Sequence, residues 1–284
     1  MALRRRAHFA LATNRPFERL VLGTPALRER ARRSAARYVA GERLEDALAV
    51  AAQLRAVGLD ASLDLFGERE GDRAAIEQAL AGYERLARAI EPGTWVSVDL
   101  SHVGLELGVA EATSALRAIA AAMPRHAKLQ VGAEEAAVAD DVLAAVLAAA
   151  ADGVPVTATV QANLRRSPAD AQRLAGAGVP IRLVKGAYVE PPAVAHPYGP
   201  PTDAAFRRIA EGLLGQGAAV SLGTHDPALH AAFPQADVEL LLGVRPDDAV
   251  ALAAAGRRVR VYAPYGDGWL RYLLRRRAEA QGAA

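Results

Sequence analysis

The sequence predicts a TIM-like (βα)8 barrel preceded by N-terminal helices. Eight short, β-branched apolar runs alternate with alanine-rich helical stretches. Helix-stopping glycines, among them Gly153, Gly176, Gly217 and Gly256, fall where the next strand should begin. The chain's 284 residues suit one large domain of this class. Strands alternating with helices imply parallel pairing through crossover connections, and eight such units imply closure. An open doubly wound sheet is the competing arrangement. It would carry a glycine-rich phosphate loop after its first strand, and Phe66-Gly67-Glu68 is not one.

Residues 1–57 form an N-terminal helical segment packed on the barrel, and residues 58–284 the barrel itself. Thr24-Pro25 starts a helix, with proline at its first helical position. A second helix, Leu44–Val57, stops at Gly58. The strands then read Ala61–Phe66, Trp95–Leu100, Lys128–Val131, Val156–Gln161, Ile181–Val184, Ala219–Gly223, Val238–Leu242 and Arg258–Tyr262. Between them lie helices over Arg73–Ile90, Leu107–Ala122, Glu134–Ala151, Pro168–Ala175, Asp203–Leu214, Pro227–Phe233 and Pro246–Ala255. Gly268–Ala280 follows the last strand.

Composition removes several functions. Basic and acidic residues nearly balance, 34 against 32, without the basic stripe and interleaved aromatics of a nucleic-acid binder. There is no cysteine, so disulfides, thiolate catalysis and thiolate metal sites are excluded. His102 and His225 lack paired metal-ligand spacing, so no metal site is expected. The basic start, Met1 to Arg6, leads into an apolar run broken by Asn14, Arg15 and Pro16, which is not a signal peptide. Val142–Ala151 is too short for a membrane span. A functional lysine has only Lys128 and Lys185 as candidates.

Reactive groups of a closed barrel come from the carboxyl ends of its strands. Those ends offer Asp64, Asp99, Gln161, Lys185, His225 and Tyr262. The densest segment is Arg182-Leu183-Val184-Lys185-Gly186-Ala187-Tyr188. Alternation puts Arg182 and Val184 on one face and Leu183 and Lys185 on the other. Gly186 lets a ligand approach the backbone, and a cation beside it suits an anionic or electron-accepting group. A charged strand edge is the plainer reading. On the last helix Tyr272, Arg275, Arg276 and Glu279 share one face at i, i+3, i+4, i+7. Glu279 is spaced to hold Arg275, and two fixed guanidinium forks make a carboxylate clamp. A solvated basic face near a helix C-terminus has the same spacing.

Taken in order, these segments resemble the proline dehydrogenase family. The matching stretches are Leu63–Glu68, Val96-Ser97-Val98, Val160-Gln161-Ala162, Arg182–Tyr188 with Glu190-Pro191-Pro192, Thr224-His225-Asp226, Gly243–Pro246, Val259–Gly266, and Tyr272 with Arg275-Arg276. The resemblance implies a distorted (βα)8 barrel holding FAD non-covalently. It implies oxidation of L-proline to Δ1-pyrroline-5-carboxylate by hydride transfer to flavin N5. A quinone-type acceptor then takes the electrons. By matching positions, Arg275 and Arg276 clamp the substrate carboxylate, and Tyr262, Tyr272 and Leu241 shape the pocket. Gln161, Arg182, Val184, Lys185, Gly186, Ala187 and His225 contact FAD. The implied location is cytoplasmic, compatible with peripheral contact at the inner face of a quinone-bearing membrane.

Two positions depart from the family pattern. Asp99 stands where lysine is usual, and Gly132 where aspartate is usual. Val189 is a further change after the tyrosine. The first two fall at neighbouring strand ends, which suggests a coordinated alteration. Asp99 among the catalytic groups would repel a carboxylate unless the arginines or a proton compensate. A flavoenzyme for another cyclic amine, a silent barrel kept for binding, and an aldolase-type barrel with Lys185 as Schiff-base amine are the competing functions.

Overall fold

The structure, a computed structural model, describes residues 14–67 and 70–280. Three helices come first: α1 (Arg15–Gly23), α2 (Pro25–Ala35) and α3 (Leu44–Ala56). The Asn14 side chain caps α1 by accepting from the Phe17 amide. The barrel then runs β1 (Asp60–Leu65), α4 (Arg73–Ala89), β2 (Thr94–Val98), α5 (Val109–Ala122), β3 (Leu129–Val131), α6 (Ala139–Ala151) and β4 (Val156–Gln161). It continues through α7 (Ser167–Gly176), β5 (Ile181–Val184), α8 (Pro200–Gly215), β6 (Val220–Gly223), α9 (Pro227–Ala232), β7 (Asp237–Leu241) and α10 (Pro246–Ala254). β8 (Val259–Tyr265) and α11 (Trp269–Ala280) complete it. The strands pair in sequence order, all parallel, and β1 closes on β8. The predicted closed barrel is therefore what forms.

Several boundaries move, three of them for a clear local reason. The helix expected from Glu134 begins only at Ala139. Before it, the Glu134 carboxylate accepts from the Ser101 amide and its carbonyl accepts from Gln161, which holds the segment as a loop. The helix expected from Leu107 begins at Val109, after two short 3₁₀ turns. β8 runs on to Tyr265, although Pro264 reads as a strand end. Pro264 needs no amide proton there, and its carbonyl accepts from Ala40.

Alternation along the strands divides the interior. Leu63, Val96, Leu129, Leu183 and Leu222 are fully buried in the apolar core beneath the helices. The side chains facing the lumen are polar. Ser221 bonds Glu239, Arg182 pairs with Glu239 at 3.1 Å, and Tyr262 reaches Asp64. At the amino-terminal end Arg260 lies 3.5 Å above the Trp95 ring and bonds Asp60, which plugs the barrel.

The N-terminal helices pack on α11 through Val21, Ala35, Val39, Trp269, Leu270 and Leu273. The turn after α2 also reaches the loop after β7: Arg37 donates through Nε to the Gly243 carbonyl at 2.7 Å. Gly243 has φ +71°, and a Cβ there would run into the Arg37 carbonyl oxygen. Gly243→Ala is therefore expected to lower stability by about 2–4 kcal/mol, read as a reduced urea midpoint. An unchanged midpoint would show that this docking contributes nothing.

Candidate active site

Strand ends bring the expected residues to one mouth. Tyr262 on β8 and Tyr272 on α11 are tilted neighbours, with ring centroids 6.2 Å apart. Phe66, just past β1, meets Tyr272 edge-on at 5.3 Å. The Arg182 guanidinium lies 6.0 Å from the Tyr262 ring, and Arg276 lies 5.9 Å from Tyr272. Arg275 reaches Tyr188 on the loop after β5, at 5.6 Å. An aromatic floor with cations along one side suits an anion with an apolar body. The Tyr272 hydroxyl is buried and has no hydrogen-bond partner among the described residues. A group left so is an invitation to a ligand, because an unmet buried hydroxyl costs free energy. The Glu279 side chain, and hence its expected pairing with Arg275, lies outside the described residues.

The opposite wall comes from β4, β5 and β6. Gln161 ends β4 and donates to the Glu134 carbonyl at 2.7 Å, which orients its amide. Arg182 faces the lumen and Leu183 the helices, as alternation requires. Val184 is half-buried at the end of β5. Gly186 takes φ +110°, and the Asn163 side chain occupies the space of its missing Cβ. Ala187 follows on the same half-buried loop. His225 accepts from the Leu241 amide through Nε2 at 3.2 Å, so Nδ1 carries the proton. That Nδ1 is buried with no hydrogen-bond partner among the described residues. Burial, with Arg276 nearby, pushes the imidazole down to about 4, so the ring stays neutral.

Lys185 follows β5 on this wall. Its ammonium is held between Asp203 at 2.7 Å and Asp226 at 2.8 Å, tying the start of α8 to the cap of α9. Burial alone would lower its pKa, but the two carboxylates outweigh it and raise the pKa. A protonated amine cannot attack a carbonyl, so the Schiff-base reading has no support here.

Two acids meet on the β1–β3 side. Asp64 is buried beneath the phenols of Tyr262 and Tyr83, the latter on α4 at 2.7 Å. One carboxylate oxygen of Asp99 stands where a Cβ on residue 132 would be. Any residue but glycine at 132 would displace that carboxylate, so the two departures from the family pattern are sterically one change. Asp64 appeared in the sequence only as a polar strand end, and Tyr83 carried no signal. It sits on the apolar face of an ordinary amphipathic helix, and only the fold aims its hydroxyl.

Burial raises the Asp64 carboxyl to about 6, against hydrogen bonds from Tyr262 and Tyr83 that lower it. The folded state therefore holds this proton more tightly than the unfolded chain does. Its stabilisation is complete below the ordinary value of 3.8 and is lost as pH rises through about 6. Asp64→Asn, which cannot ionise, is expected to raise the melting temperature at about pH 8 and not at about pH 4. The gain has a ceiling of about 3 kcal/mol. Equal shifts at both pH values would show that the carboxylate is not what is being relieved.

Comparison with known proteins agrees with this geometry. Residues 47–284 match the family model described as proline dehydrogenase. The chain is 29% identical over 263 residues to proline dehydrogenase 1 of Bacillus subtilis, covering 87% of each chain. It is 32% identical over 278 residues to the proline dehydrogenase of Deinococcus radiodurans, covering 86% of each. Among solved structures, proline utilization A from Bdellovibrio bacteriovorus superposes with a TM-score of 0.80 at 19% identity. That match covers 96% of this chain and 36% of the longer one, and it shows the shared barrel. This is an oxidoreductase of the proline dehydrogenase type, and the chain belongs to the proline dehydrogenase family.

Proposed function

We propose that the chain oxidises L-proline to Δ1-pyrroline-5-carboxylate with FAD bound at the β4–β6 wall. The observation that carries this reading is the joining of Arg275, Arg276, Tyr262 and Tyr272 over one mouth with an aromatic floor. Bound FAD would accept a hydride at N5 from the ring carbon next to nitrogen and pass the electrons to a quinone-type acceptor.

The residues present fit a flavin. The neutral His225 offers a buried Nδ1–H donor that the described residues do not use. Gly186 keeps the backbone open, Val184 gives an apolar surface, and Gln161 and Arg182 add polar contacts along the same strand ends. Lys185 acts one step away, by fixing Asp226 beside His225. On the substrate side Arg275 and Arg276 bind the carboxylate, while Tyr262, Tyr272 and Leu241 enclose the ring and exclude water. Hydride transfer asks for position more than for strong acids or bases, and this pocket supplies position. Among the described residues no helix is long and apolar enough to cross a membrane, so a membrane quinone would be met at the surface.

The test is the visible spectrum of the purified protein. A flavin spectrum bleached anaerobically by L-proline, and restored by a short-chain quinone, is expected. A flavin that proline leaves oxidised would redirect the reading to another cyclic amine. A colourless protein that FAD cannot reconstitute would overturn it.

A further inference from the structure

Behind the pocket tyrosines runs a chain of groups that substrate binding does not require. Tyr262 donates its phenol proton to Asp64 Oδ2. Tyr83 donates to Asp64 Oδ1 at 2.7 Å and lies 2.9 Å from the Leu65 carbonyl oxygen. Beyond it, 3.5 Å away, stands Nδ1 of His102. The Tyr83 and His102 rings meet edge-on, 5.7 Å between centroids. Asp64 and Tyr83 are 1% and 0% exposed, whereas His102 is half-buried. The chain therefore starts at the pocket, crosses the wall of the barrel and ends near solvent. A carboxylate is costly to bury. Orienting Tyr262 alone would need only a neutral acceptor, and it would not need a second phenol and an imidazole in line behind it.

We propose that Tyr262, Asp64, Tyr83 and His102 form a proton relay that carries the substrate's amine proton from the pocket to solvent. This rests on the amine-oxidising reading given above. The substrate amine enters protonated. Its C–H bond breaks with the electron pair leaving as hydride to bound flavin, and a C=N bond forms from the nitrogen lone pair. That lone pair is free only once an N–H proton has left. The Tyr262 oxygen takes this proton as its own passes to Asp64. The Asp64 carboxyl, protonated on Oδ2, turns about its Cβ–Cγ bond to present that proton to the Tyr83 oxygen as the Tyr83 proton passes to Nδ1 of His102, whose Nε2 proton is the one released. One proton enters at Tyr262 and one leaves at His102. Tyr262 touches the pocket; Asp64, Tyr83 and His102 act through it.

The surroundings suit this traffic. Asp64 faces Tyr262 and Tyr265 from β8, Tyr83 from α4 and Tyr272 from α11, and the Asp99 charge beside β2 acts on Tyr83 and Tyr262. No cation is among the influences on Asp64, and at about 6 it can both accept and pass a proton near neutrality. Burial holds His102 to about 4, against a hydrogen bond it donates to the Leu65 carbonyl and the nearby Glu70, with Arg271 also facing it, so it does not retain the proton. Net movement of the proton from Asp64 to His102 is uphill by about a hundredfold. Proton transfer between hydrogen-bonded groups still outruns a turnover of about ten per second.

The test is anaerobic stopped-flow reduction of the holoenzyme by L-proline, in water and in deuterium oxide, across pH. Tyr83→Phe keeps the ring and removes the link. Its reduction rate is expected to fall about ten- to a hundredfold, with proline affinity within about twofold of wild type and a larger solvent isotope effect. His102→Gln, at a half-buried position, should slow reduction in the same way and covers the case in which Tyr83→Phe fails to fold. In the wild type the rate should fall away below about pH 6, and Asp64→Asn should abolish that limb. Wild-type rate, isotope effect and pH profile in Tyr83→Phe and His102→Gln would overturn the relay while leaving the substrate reading intact. A wild type that proline does not reduce overturns the substrate reading itself, and with it the relay's stated cargo.

Discussion

Arg276→Ala is expected to lower kcat/KM for L-proline by about a hundredfold, and Arg275→Ala/Arg276→Ala to leave no measurable turnover. Truncating one partner of a desolvated, hydrogen-bonded charge pair costs about 2–5 kcal/mol, and a hundredfold is about 2.7 kcal/mol. Both side chains are half-buried at the mouth, Arg276 against Tyr272 and Arg275 against Tyr188. Arg277, the next residue, is exposed. It provides an internal control, and Arg277→Ala should stay within about twofold because an exposed charge is screened. A carboxylate contact is made in the bound ground state and kept in the transition state, so most of the loss should appear in KM. Arg276→Lys keeps the charge but loses the planar fork, and should recover only part of the loss. Steady-state kinetics with proline decides the matter. Equal losses in Arg276→Ala and Arg277→Ala would mean that helix charge, not a clamp, is at work.

The shared face of the last helix was legible because helical spacing is local. Tyr272, Arg275 and Arg276 fall on one face whatever the barrel does. Strand ends were equally legible, since eight alternating units force their carboxyl ends to one side. Harder to read was which face of a strand a residue takes once its strand has ended. For Lys185 the spacing gave no sign of its carboxylate partners. It lies one residue beyond β5, where Asp203 and Asp226, distant in sequence, capture its ammonium. Tyr83 and His102 were invisible for a related reason. Their partnership with Asp64 is set by how α4 and the turn after β2 pack on β1, and no spacing in the chain encodes that. The polar lumen was half legible. Alternation exposed Arg182, but its pairing with Glu239 spans two strands.

The last expected result concerns Asp99 and Gly132. Asp99→Lys should lower KM for proline at least tenfold. The Asp99 charge is felt by both Tyr262 and Tyr83, so it reaches the pocket floor. Two like charges about 7 Å apart in an effective dielectric near 20 repel by about 2 kcal/mol. Replacing that carboxylate with an ammonium turns repulsion of the substrate carboxylate into attraction. Arg275 and Arg276 then share the clamp instead of working against Asp99. Gly132 sets the condition for the present arrangement. With Asp99 in place, Gly132→Ala pushes the carboxylate out of the space it now fills and should disturb both stability and KM. With Asp99→Ala, the same Gly132→Ala change meets nothing from that side chain and should be nearly silent. The cycle of wild type, both single variants and the double variant should therefore show a coupling of about 1–3 kcal/mol. Additive effects would separate the two positions. Failure of Asp99→Lys to improve proline binding would mean that the acid at this strand end serves a substrate other than a simple amino acid, with Asp99 and Gly132 together defining the change in specificity.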